Sequence, residues 1–573
     1  MSYRKLYEEW ITNSCFDEET KAELKSISED ENEIKERFYK ELEFGTAGLR
    51  GIIGAGINRM NVYTVRKATQ GLANYILKVG GAEKGVVIAF DSRRMSPEFA
   101  DVAALCLAAN GIKAYRFESL RPTPELSFAV RELGCIAGIN ITASHNPPEY
   151  NGYKVYWEDG AQITPPHDTG IMSEVKAVTD FSSLKTMDME EAKAKGLYVV
   201  IGAEVDDKYM AELKKQVKRQ DLIDKVKKDL KIVYTPLHGT GLVPVTTVLK
   251  ELGFENVYVV EEQAKPDGRF PTVKYPNPEE DSAFELAISL AKEKDADIVM
   301  ATDPDADRLG LFVKVEPGRY ISFNGNMIGT IIAEYILRER KNNKTLPLNA
   351  AVVSTIVTTD MVKAVCERYG VKLIETLTGF KYVGEQIKFF EKDNSYEFVF
   401  GLEESYGCLA GTYARDKDAC STLTLLCEVA AYYKTRGMTL WDGMQELYDF
   451  YGAYAEKLSY IVLQGKDGLA KIVEIMTKLR REPLDNIGEF KIYAVTDYIT
   501  GERVDYKSGI VSRVDLPKSD VLYYELDGGA WCAVRPSGTE PKIKFYMGTK
   551  AQSFECAMEL CEKLSDALVA MGE

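Results

Sequence analysis

The feature that most constrains the fold is a pattern that occurs three times: an apolar strand, a polar loop, a helix, a glycine and a second strand. The three copies span residues 85–117, 230–260 and 350–374. A strand–helix–strand unit pairs its two strands in parallel through a right-handed crossover. The pattern therefore predicts an α/β chain with three domains of similar plan.

The segments outside these copies complete the predicted organisation. Residues 1–40 are charged and helically periodic, which indicates an amphipathic N-terminal arm, and the segment 206–228 is predicted to form one charged helix. Beyond about residue 455 strands and helices alternate, and the chain ends in an amphipathic helix over 551–571, so we expect a fourth, smaller α+β domain. The predicted domains are 1–204, 205–321, 322–455 and 456–573.

Composition narrows the class of protein. The 573 residues carry a net charge of −16, which argues against non-specific nucleic-acid binding. No stretch approaches the roughly 20 apolar residues of a membrane span, and the first ten residues lack the apolar core of a signal peptide. The ten cysteines form no CxxC pair, which favours free thiols in a reducing compartment. We therefore expect a cytoplasmic protein without a nucleic-acid or membrane partner.

A serine loop follows the apolar segment 135–141. The stretch Thr-Ala-Ser-His-Asn-Pro at 142–147 puts Ser144 just after a predicted buried strand, where parallel sheets carry their chemistry. A hydrolase would be expected to show a G-x-S-x-G elbow, which is absent here. Taken alone, this stretch is better explained as a turn that caps a loop.

Three aspartates at alternate positions follow another apolar strand. Asp303, Asp305 and Asp307 come after residues 298–301, on a loop that contains a proline. Oxygen ligands that converge in this way suit Mg²⁺. An EF-hand would need a glycine where Arg308 stands. An aspartyl-phosphate phosphatase with Asp303 as nucleophile is an alternative interpretation.

Three further loops have residues suited to sugars or phosphates. Residues 400–407 combine two glutamates and a serine, which can bind sugar hydroxyls. Residues 533–542 combine an arginine, two hydroxyls and a glycine between prolines, a composition typical of a phosphate cradle. Residues 44–51 contain three glycines and Arg50, a weaker signal for an anion-binding loop.

Together these loops carry a family resemblance. TASHNP, DPDADR, GLEES and RPSGTEP occur in this order, one in each predicted domain, and resemble the α-D-phosphohexomutase family from about residue 44 to the C-terminus. FGTAGLRG at 44–51 strengthens the resemblance, and the long chain looks like the long-chain bacterial type of the phosphoglucomutase branch. The resemblance implies four domains around a central cleft, each contributing one loop.

The resemblance also implies a role for each loop. Ser144 would be the phosphoserine, with His145, Lys154 and Arg50 beside it as alternatives for the general acid or base. One Mg²⁺ would be held by the aspartate triplet and a phosphoserine oxygen, that is by Asp303, Asp305, Asp307 and Ser144. The residues expected to bind the sugar or its distal phosphate are Thr378, Gly379, Glu403, Ser405, Lys417, Arg535, Ser537, Gly538 and Thr539.

The implied activity is a reversible phosphoryl shift within a sugar phosphate. A member of this branch would interconvert α-D-glucose 1-phosphate and glucose 6-phosphate through glucose 1,6-bisphosphate, which also serves as activator. Mannose or pentose phosphates are alternative substrates, and a phosphatase or a non-catalytic sugar-phosphate sensor are alternative functions. Monomer and dimer both remain open.

Overall fold

The computed structural model describes residues 2–43, 48–463, 465–537 and 542–572. Within these residues the strands form four sheets that follow one another along the chain. None of the described helices is long and apolar enough to cross a membrane.

The first sheet has the strand order β1-β5-β4-β2-β3-β6. Its strands are β1 (Leu49–Ile52), β2 (Val86–Phe90), β3 (Ala114–Phe117), β4 (Ala137–Ile141), β5 (Tyr150–Trp157) and β6 (Tyr198–Ile201). The helices of this region are α1 (Tyr3–Thr12), α2 (Glu18–Ser26), α3 (Glu31–Phe38), α4 (Val62–Lys78), α5 (Ser96–Ala109), α6 (Thr123–Glu132), α7 (His167–Ala177) and α8 (Met189–Ala194). Val86 and Ile88 pack with α4 and α5, whereas Val87 and Ala89 pack with α6, so helices cover both faces.

The second sheet has the order β11-β10-β9-β7-β8. Its strands are β7 (Lys231–Thr235), β8 (Asn256–Val259), β9 (Ile298–Thr302), β10 (Leu309–Glu316) and β11 (Arg319–Phe323), and the helices are α9 (Ala203–Lys215), α10 (Gln220–Val226), α11 (Leu242–Glu251), α12 (Glu261–Ala264) and α13 (Glu285–Lys294). The prediction of one helix over 206–228 is wrong. The backbone N–H groups of Lys218 and Arg219 donate to the carboxylate of Glu428, so the chain breaks between α9 and α10.

The third sheet has the order β13-β12-β14-β15. Its strands are β12 (Ala350–Thr355), β13 (Lys372–Thr376), β14 (Glu397–Glu403) and β15 (Gly407–Ala410), and the helices are α14 (Gly325–Asn342), α15 (Met361–Tyr369), α16 (Phe380–Asp393), α17 (Ala419–Thr435) and α18 (Leu440–Tyr451). Helix α17 is buried over most of its length and belongs to the core cluster that joins the second and third sheets.

The fourth sheet is antiparallel, with the order β16-β23-β22-β21-β18-β19-β20 and β17 paired to β18. Its strands are β16 (Ala453–Val462), β17 (Asn486–Ile487), β18 (Phe490–Asp497), β19 (Glu502–Asp505), β20 (Val511–Arg513), β21 (Leu522–Leu526), β22 (Trp531–Pro536) and β23 (Lys542–Ala551), and the helices are α19 (Gly465–Arg481) and α20 (Phe554–Gly572). Trp531 and Tyr546 pack against Ile356 and Leu377, so this sheet rests on the loops that follow β12 and β13.

The predicted fold class is confirmed. The strands of the three recurring units pair in parallel as β2–β3, β7–β8 and β12–β13, and an antiparallel domain follows them. Ser144 follows β4, Asp303 follows β9 and Glu403 ends β14. Candidate residues of the first three domains therefore lie at the carboxyl ends of core strands, the edge at which parallel sheets bind ligands.

Candidate active site

The serine loop has a constrained backbone. Ser144 has a φ of 51°, in the left-handed region that residues with a side chain rarely adopt. Its N–H donates to Thr142 Oγ1 at 2.8 Å, and that hydroxyl donates to Asp91 Oδ2 at 2.6 Å. Strand β4 and the loop after β2 therefore fix the direction of the Ser144 side chain together.

The Ser144 hydroxyl points at the aspartate loop. Its Oγ donates to Asp303 Oδ2 at 2.6 Å and lies 3.1 Å from His145 Nδ1. The residue is only 3% exposed. A serine hydroxyl is thus held directly against a carboxylate that comes from another sheet.

The three aspartates form one buried cluster. Ligand oxygens of Asp303, Asp305 and Asp307 lie within 4.8 Å of one another. The N–H groups of Asp307 and Arg308 both donate to Asp303 Oδ1 at 3.0 Å, and Ala306 has a φ of 50° that turns the loop back on itself. Aspartates at alternate positions of the sequence thus bring their carboxylates together in the structure.

Neighbouring cations balance part of this negative charge. Lys154 Nζ donates to Asp305 Oδ2 at 2.9 Å, and Lys417 Nζ lies 3.1 Å from Asp307 Oδ2. Burial opposes ionisation of Asp305, but the charge of Lys154 and the hydrogen bonds with Asp303, Thr123 and Lys154 together outweigh it and hold the pKa of that carboxyl well below its usual range. Burial raises the pKa of Asp303 well above its usual range, and the other two carboxylates add to the rise. The site therefore favours a further positive charge beside Asp303.

The cluster fits a hard divalent cation. Asp305 Oδ1 and Asp307 Oδ1 are buried and have no hydrogen-bond partner among the described residues. Buried carboxylate oxygens without a partner are costly, and a cation bound by oxygen ligands would satisfy them.

Arg50 and His145 complete the surroundings of Ser144. Arg50 Nη1 donates to Asn146 Oδ1 at 2.9 Å, within the serine loop. Burial lowers the pKa of His145 well below its usual range, and the charges of Arg308 and Arg50 lower it further. The imidazole is therefore neutral near pH 7.

Glu403 belongs to a strand, whereas the sequence predicted that it lies in a loop. It is the last residue of β14, and the hairpin to β15 leaves 404–406 as the turn, because Glu403 pairs with Gly407. Burial raises the pKa of Glu403 to about 7, against the opposing effect of Lys417. Ser405 follows in the turn, where its Oγ lies 3.5 Å from Glu404 Oε1.

Lys417, Thr378 and Gly379 come from neighbouring loops of the third sheet. Lys417 Nζ contacts both Asp307 and Asp416, each at 3.1 Å, so it lies at the aspartate cluster. Thr378 is half-buried, and Gly379, with a φ of 115°, immediately precedes α16.

Arg535 and Ser537 lie at the end of β22. The N–H of Ser537 donates to the carbonyl of Lys542 at 2.8 Å, which closes this hairpin. Burial lowers the pKa of Lys544, and the charges of Lys542 and Arg535 lower it further, so cations gather at this edge of the fourth sheet. Gly538 and Thr539, and residues 44–47 of the first loop, lie outside the described residues.

Several residues of the site were not predicted from the sequence. Thr123 Oγ1 donates to Asp305 Oδ2 at 2.7 Å, and Arg93 donates to backbone carbonyls of the serine loop. Asp91 and Arg93 stand at a strand end, as Ser144 does, and that position could have singled them out. Thr123 carries no comparable local signal.

This geometry is suited to phosphoryl transfer. It combines a buried hydroxyl, a carboxylate cluster that could hold a divalent cation and several fixed positive charges. Positioning and stabilisation of spreading negative charge are what that reaction requires.

Comparison with known proteins gives consistent matches. The family descriptions "Phosphoglucomutase/phosphomannomutase, alpha/beta/alpha domain I", "domain II" and "domain III" match residues 41–181, 207–316 and 324–451. A phosphoglucomutase of Staphylococcus aureus (strain MRSA252) is 37% identical over 536 residues, which cover 93% of this chain and 94% of the relative.

Solved structures share the fold. A putative phosphomannomutase of Thermus thermophilus matches with a TM-score of 0.68 at 24% identity, over 93% of this chain and 99% of that one. The open form of parafusin, a phosphoglucomutase of Paramecium, matches with a TM-score of 0.68 at 20% identity, over 93% and 97% of the two chains.

Proposed function

This chain belongs to the phosphoglucomutase/phosphomannomutase family, and from that premise we propose that it is a phosphoglucomutase. In this proposal it interconverts α-D-glucose 1-phosphate and glucose 6-phosphate. Ser144 carries the phosphoryl group, and glucose 1,6-bisphosphate is the intermediate and the activator.

One observation carries the proposal: the 2.6 Å hydrogen bond from Ser144 Oγ to Asp303. It joins the proposed phosphoryl acceptor to the carboxylate cluster of Asp303, Asp305 and Asp307, which would hold one Mg²⁺ together with a phosphoserine oxygen. When bound, Mg²⁺ would neutralise charge that develops on the transferred group.

The groups around Ser144 support distinct roles. Lys154 is paired with Asp305, and burial alone would lower its pKa, but the carboxylates raise it overall, so it stays protonated. Neutral His145 lies 3.1 Å from Ser144 Oγ and is the better proton acceptor of the two. Arg50, bonded to Asn146, would face the phosphate as a fixed cation.

The third and fourth domains would bind the rest of the substrate. Glu403 and Ser405 would bind sugar hydroxyls, with Thr378 and Gly379 beside them. The distal phosphate would be held by Arg535, Ser537, Gly538 and Thr539, with Lys417 adding positive charge from the aspartate side. The bisphosphate can turn around in the cleft because one cradle accepts either phosphate.

The contacts of Asp303 argue against the phosphatase alternative. Its Oδ1 accepts two backbone N–H groups and its Oδ2 accepts the Ser144 hydroxyl, so a serine oxygen stands directly beside Asp303, where an aspartate nucleophile would need the phosphate. We propose a glucose phosphate as the substrate, in preference to a mannose or pentose phosphate, because the phosphoglucomutase of S. aureus matches over nearly the whole chain.

The cellular setting and the domain boundaries belong to the same proposal. All ten cysteines are free, which is the usual state in the reducing cytoplasm, and we place the enzyme there. We propose that the four domains span residues 1–204, 205–321, 322–455 and 456–573.

The test is a coupled isomerisation assay of the wild type and Ser144→Ala. With Mg²⁺ and a trace of glucose 1,6-bisphosphate, we expect the wild type to convert glucose 1-phosphate with a higher kcat/KM than mannose 1-phosphate or ribose 1-phosphate. Ser144→Ala should lose isomerisation because no other hydroxyl lies against Asp303 in the described residues. Intact-mass spectra should show one phosphoryl group on the wild type and none on the variant.

The control is Ser182→Ala, at an exposed serine far from the site, which should behave as the wild type does. Near-normal turnover by a folded Ser144→Ala would refute the mechanism. A higher kcat/KM for mannose or ribose 1-phosphate would keep the mechanism and change the substrate.

A further inference from the structure

Arg93 lies beneath the loop that carries Ser144. It stands between β2 and α5, and its side chain is completely buried. The guanidinium donates to backbone carbonyls along the whole loop: Nη2 to Ser144 and Asn146, and Nη1 to Pro147 at 2.8 Å and Tyr150 at 3.1 Å. One side chain thus hydrogen-bonds backbone carbonyls of the serine loop from Ser144 to Tyr150.

Asp91 is the charge partner of Arg93. Its Oδ2 lies 3.4 Å from Arg93 Nε, and its Oδ1 accepts the Arg93 N–H at 2.9 Å. The same carboxylate accepts the Thr142 hydroxyl that holds the Ser144 N–H. Burial lowers the pKa of Arg93 to about 10, so the group remains a cation near pH 7. Asp91 therefore binds the loop before Ser144, through Thr142, and Arg93 binds it at Ser144 and beyond.

The other face of the guanidinium contacts the second domain. Its carbon lies 5.0 Å from the centre of the Phe270 ring, and the backbone of Arg93 forms a bridge with Gly268. Phe270, the residue that contacts Arg93, has a φ of 47°, in the left-handed region.

His238 anchors the segment that contains Phe270. Its Nδ1 lies 3.0 Å from the carbonyl of Lys265, and its Nε2 lies 2.9 Å from Thr272 Oγ1. The imidazole thus joins both ends of the segment to the loop after β7.

The loop after β7 in turn contacts the aspartate loop. The Thr240 N–H and Oγ1 donate to the carbonyl of Pro304 at 2.9 and 3.0 Å. Pro304 separates Asp303 from Asp305. Contacts therefore run without a break from the serine loop, through Arg93, Phe270 and His238, to the aspartates.

We infer that Arg93 is a positioning residue for the phosphoryl transfer, which fixes the Ser144 backbone against the aspartate loop through Phe270. The inference rests on the proposed function. Arg93 acts on the reacting oxygen only through the backbone, because both Nη atoms donate to carbonyls of the loop and Nε faces Asp91 at 3.4 Å. Its loss should therefore slow the chemical step without weakening sugar binding by the third and fourth domains.

The test compares Arg93→Met and Arg93→Ala with Arg94→Met, a change at the neighbouring residue, which is exposed to solvent. We expect Arg93→Met to lower kcat about 100-fold, the cost of a displacement of about 1 Å between reacting groups, with KM unchanged. Methylguanidinium should restore part of the kcat of Arg93→Ala, because it can reoccupy the space beside the four carbonyls. Arg94→Met should keep both parameters.

The inference would be overturned if Arg93→Met folds and keeps the wild-type kcat, or if it folds and only its KM rises. If the Arg93 variants do not fold, Phe270→Leu decides: a lower kcat at unchanged KM supports the coupling, and an unchanged kcat overturns it. If the wild type isomerises no sugar phosphate, the proposed function fails separately. In that case amide hydrogen exchange in residues 142–150 tests the inference. Faster exchange in Phe270→Leu than in the wild type supports the positioning role of Arg93, and equal exchange in the two proteins overturns it.

Discussion

At the scale of single residues, burial sets the charge state of the site. Glu403 is nearly buried at the end of β14, and its pKa is raised to about 7 while Lys417 opposes the rise. Below that pH the carboxyl is protonated and loses acceptor capacity for sugar hydroxyls. Above it the ionised form predominates.

We therefore expect the kcat/KM of the wild type for glucose 1-phosphate to rise with pH and to bend near pH 7. Glu403→Gln should lower kcat/KM and remove this bend, because the amide does not titrate. The measurement is a series of initial rates at pH values from about 5.5 to about 8.5, which brackets the expected bend. Glu397→Gln, at the exposed start of the same strand, should keep the bend, and a bend that survives in Glu403→Gln would assign it to another group.

The residues that could be foreseen are those with a local signal. Ser144 and Asp303 lie just after apolar strands, and the alternate spacing of the aspartates was enough to predict that their carboxylates converge. Thr123 could not be assigned, because its partner lies far along the chain: 182 residues separate it from Asp305. Such pairs arise only from the packing of one domain on another.

At the scale of helices and strands, the periodic pattern predicted the recurring units well, and long-range contacts account for the exceptions. Glu428 breaks the predicted helix between α9 and α10, and pairing with β15 extends β14 to Glu403. Close contact between loops matters as much as the elements themselves. A Cβ at Gly239 would lie 2.4 Å from Pro304 Cα, so the loop after β7 packs against the aspartate loop with no room for a side chain.

Gly239→Ala should consequently displace the aspartate loop. Overpacking of this kind costs about 1–3 kcal/mol, and we expect a lower kcat and a higher Mg²⁺ concentration for half-maximal activity. Initial rates recorded over a series of Mg²⁺ concentrations give both kcat and the concentration for half-maximal activity.

Gly437→Ala is the matched control for that variant. Gly437 has a φ of 72° and open space around it, so alanine there should cost about 1–2 kcal/mol of stability without affecting the Mg²⁺ titration. If Gly239→Ala and Gly437→Ala need the same Mg²⁺ concentration, the contact between Gly239 and Pro304 does not position the aspartate loop.

At the scale of the whole molecule, three α/β domains are followed by an antiparallel C-terminal domain. The number and order of the domains could be predicted, whereas their packing could not. Trp531 and Tyr546 join the fourth sheet to the loops of the third through apolar contacts without any periodic signature. Arg535 belongs to β22 of this fourth sheet, the strand that begins with Trp531.

Arg535→Ala should weaken substrate binding more than it slows the chemical step. Loss of a charge-assisted hydrogen bond costs about 1.5–3 kcal/mol, so we expect KM for glucose 1-phosphate to rise roughly 10- to 150-fold. Steady-state kinetics test this, with Arg513→Ala, an exposed arginine of the same domain, as control. An unchanged KM in Arg535→Ala would exclude Arg535 from the phosphate cradle.

The hydrogen bond between Ser144 and Asp303 also bears on how the protein is made. Its partners are 159 residues apart, so at roughly 5–20 residues per second on the ribosome they are synthesised roughly 8–30 s apart. Lys417, which contacts Asp307, is added later still. A nascent chain therefore exposes its serine well before the cation site exists, and phosphoryl transfer becomes possible only when most of the polypeptide has been translated.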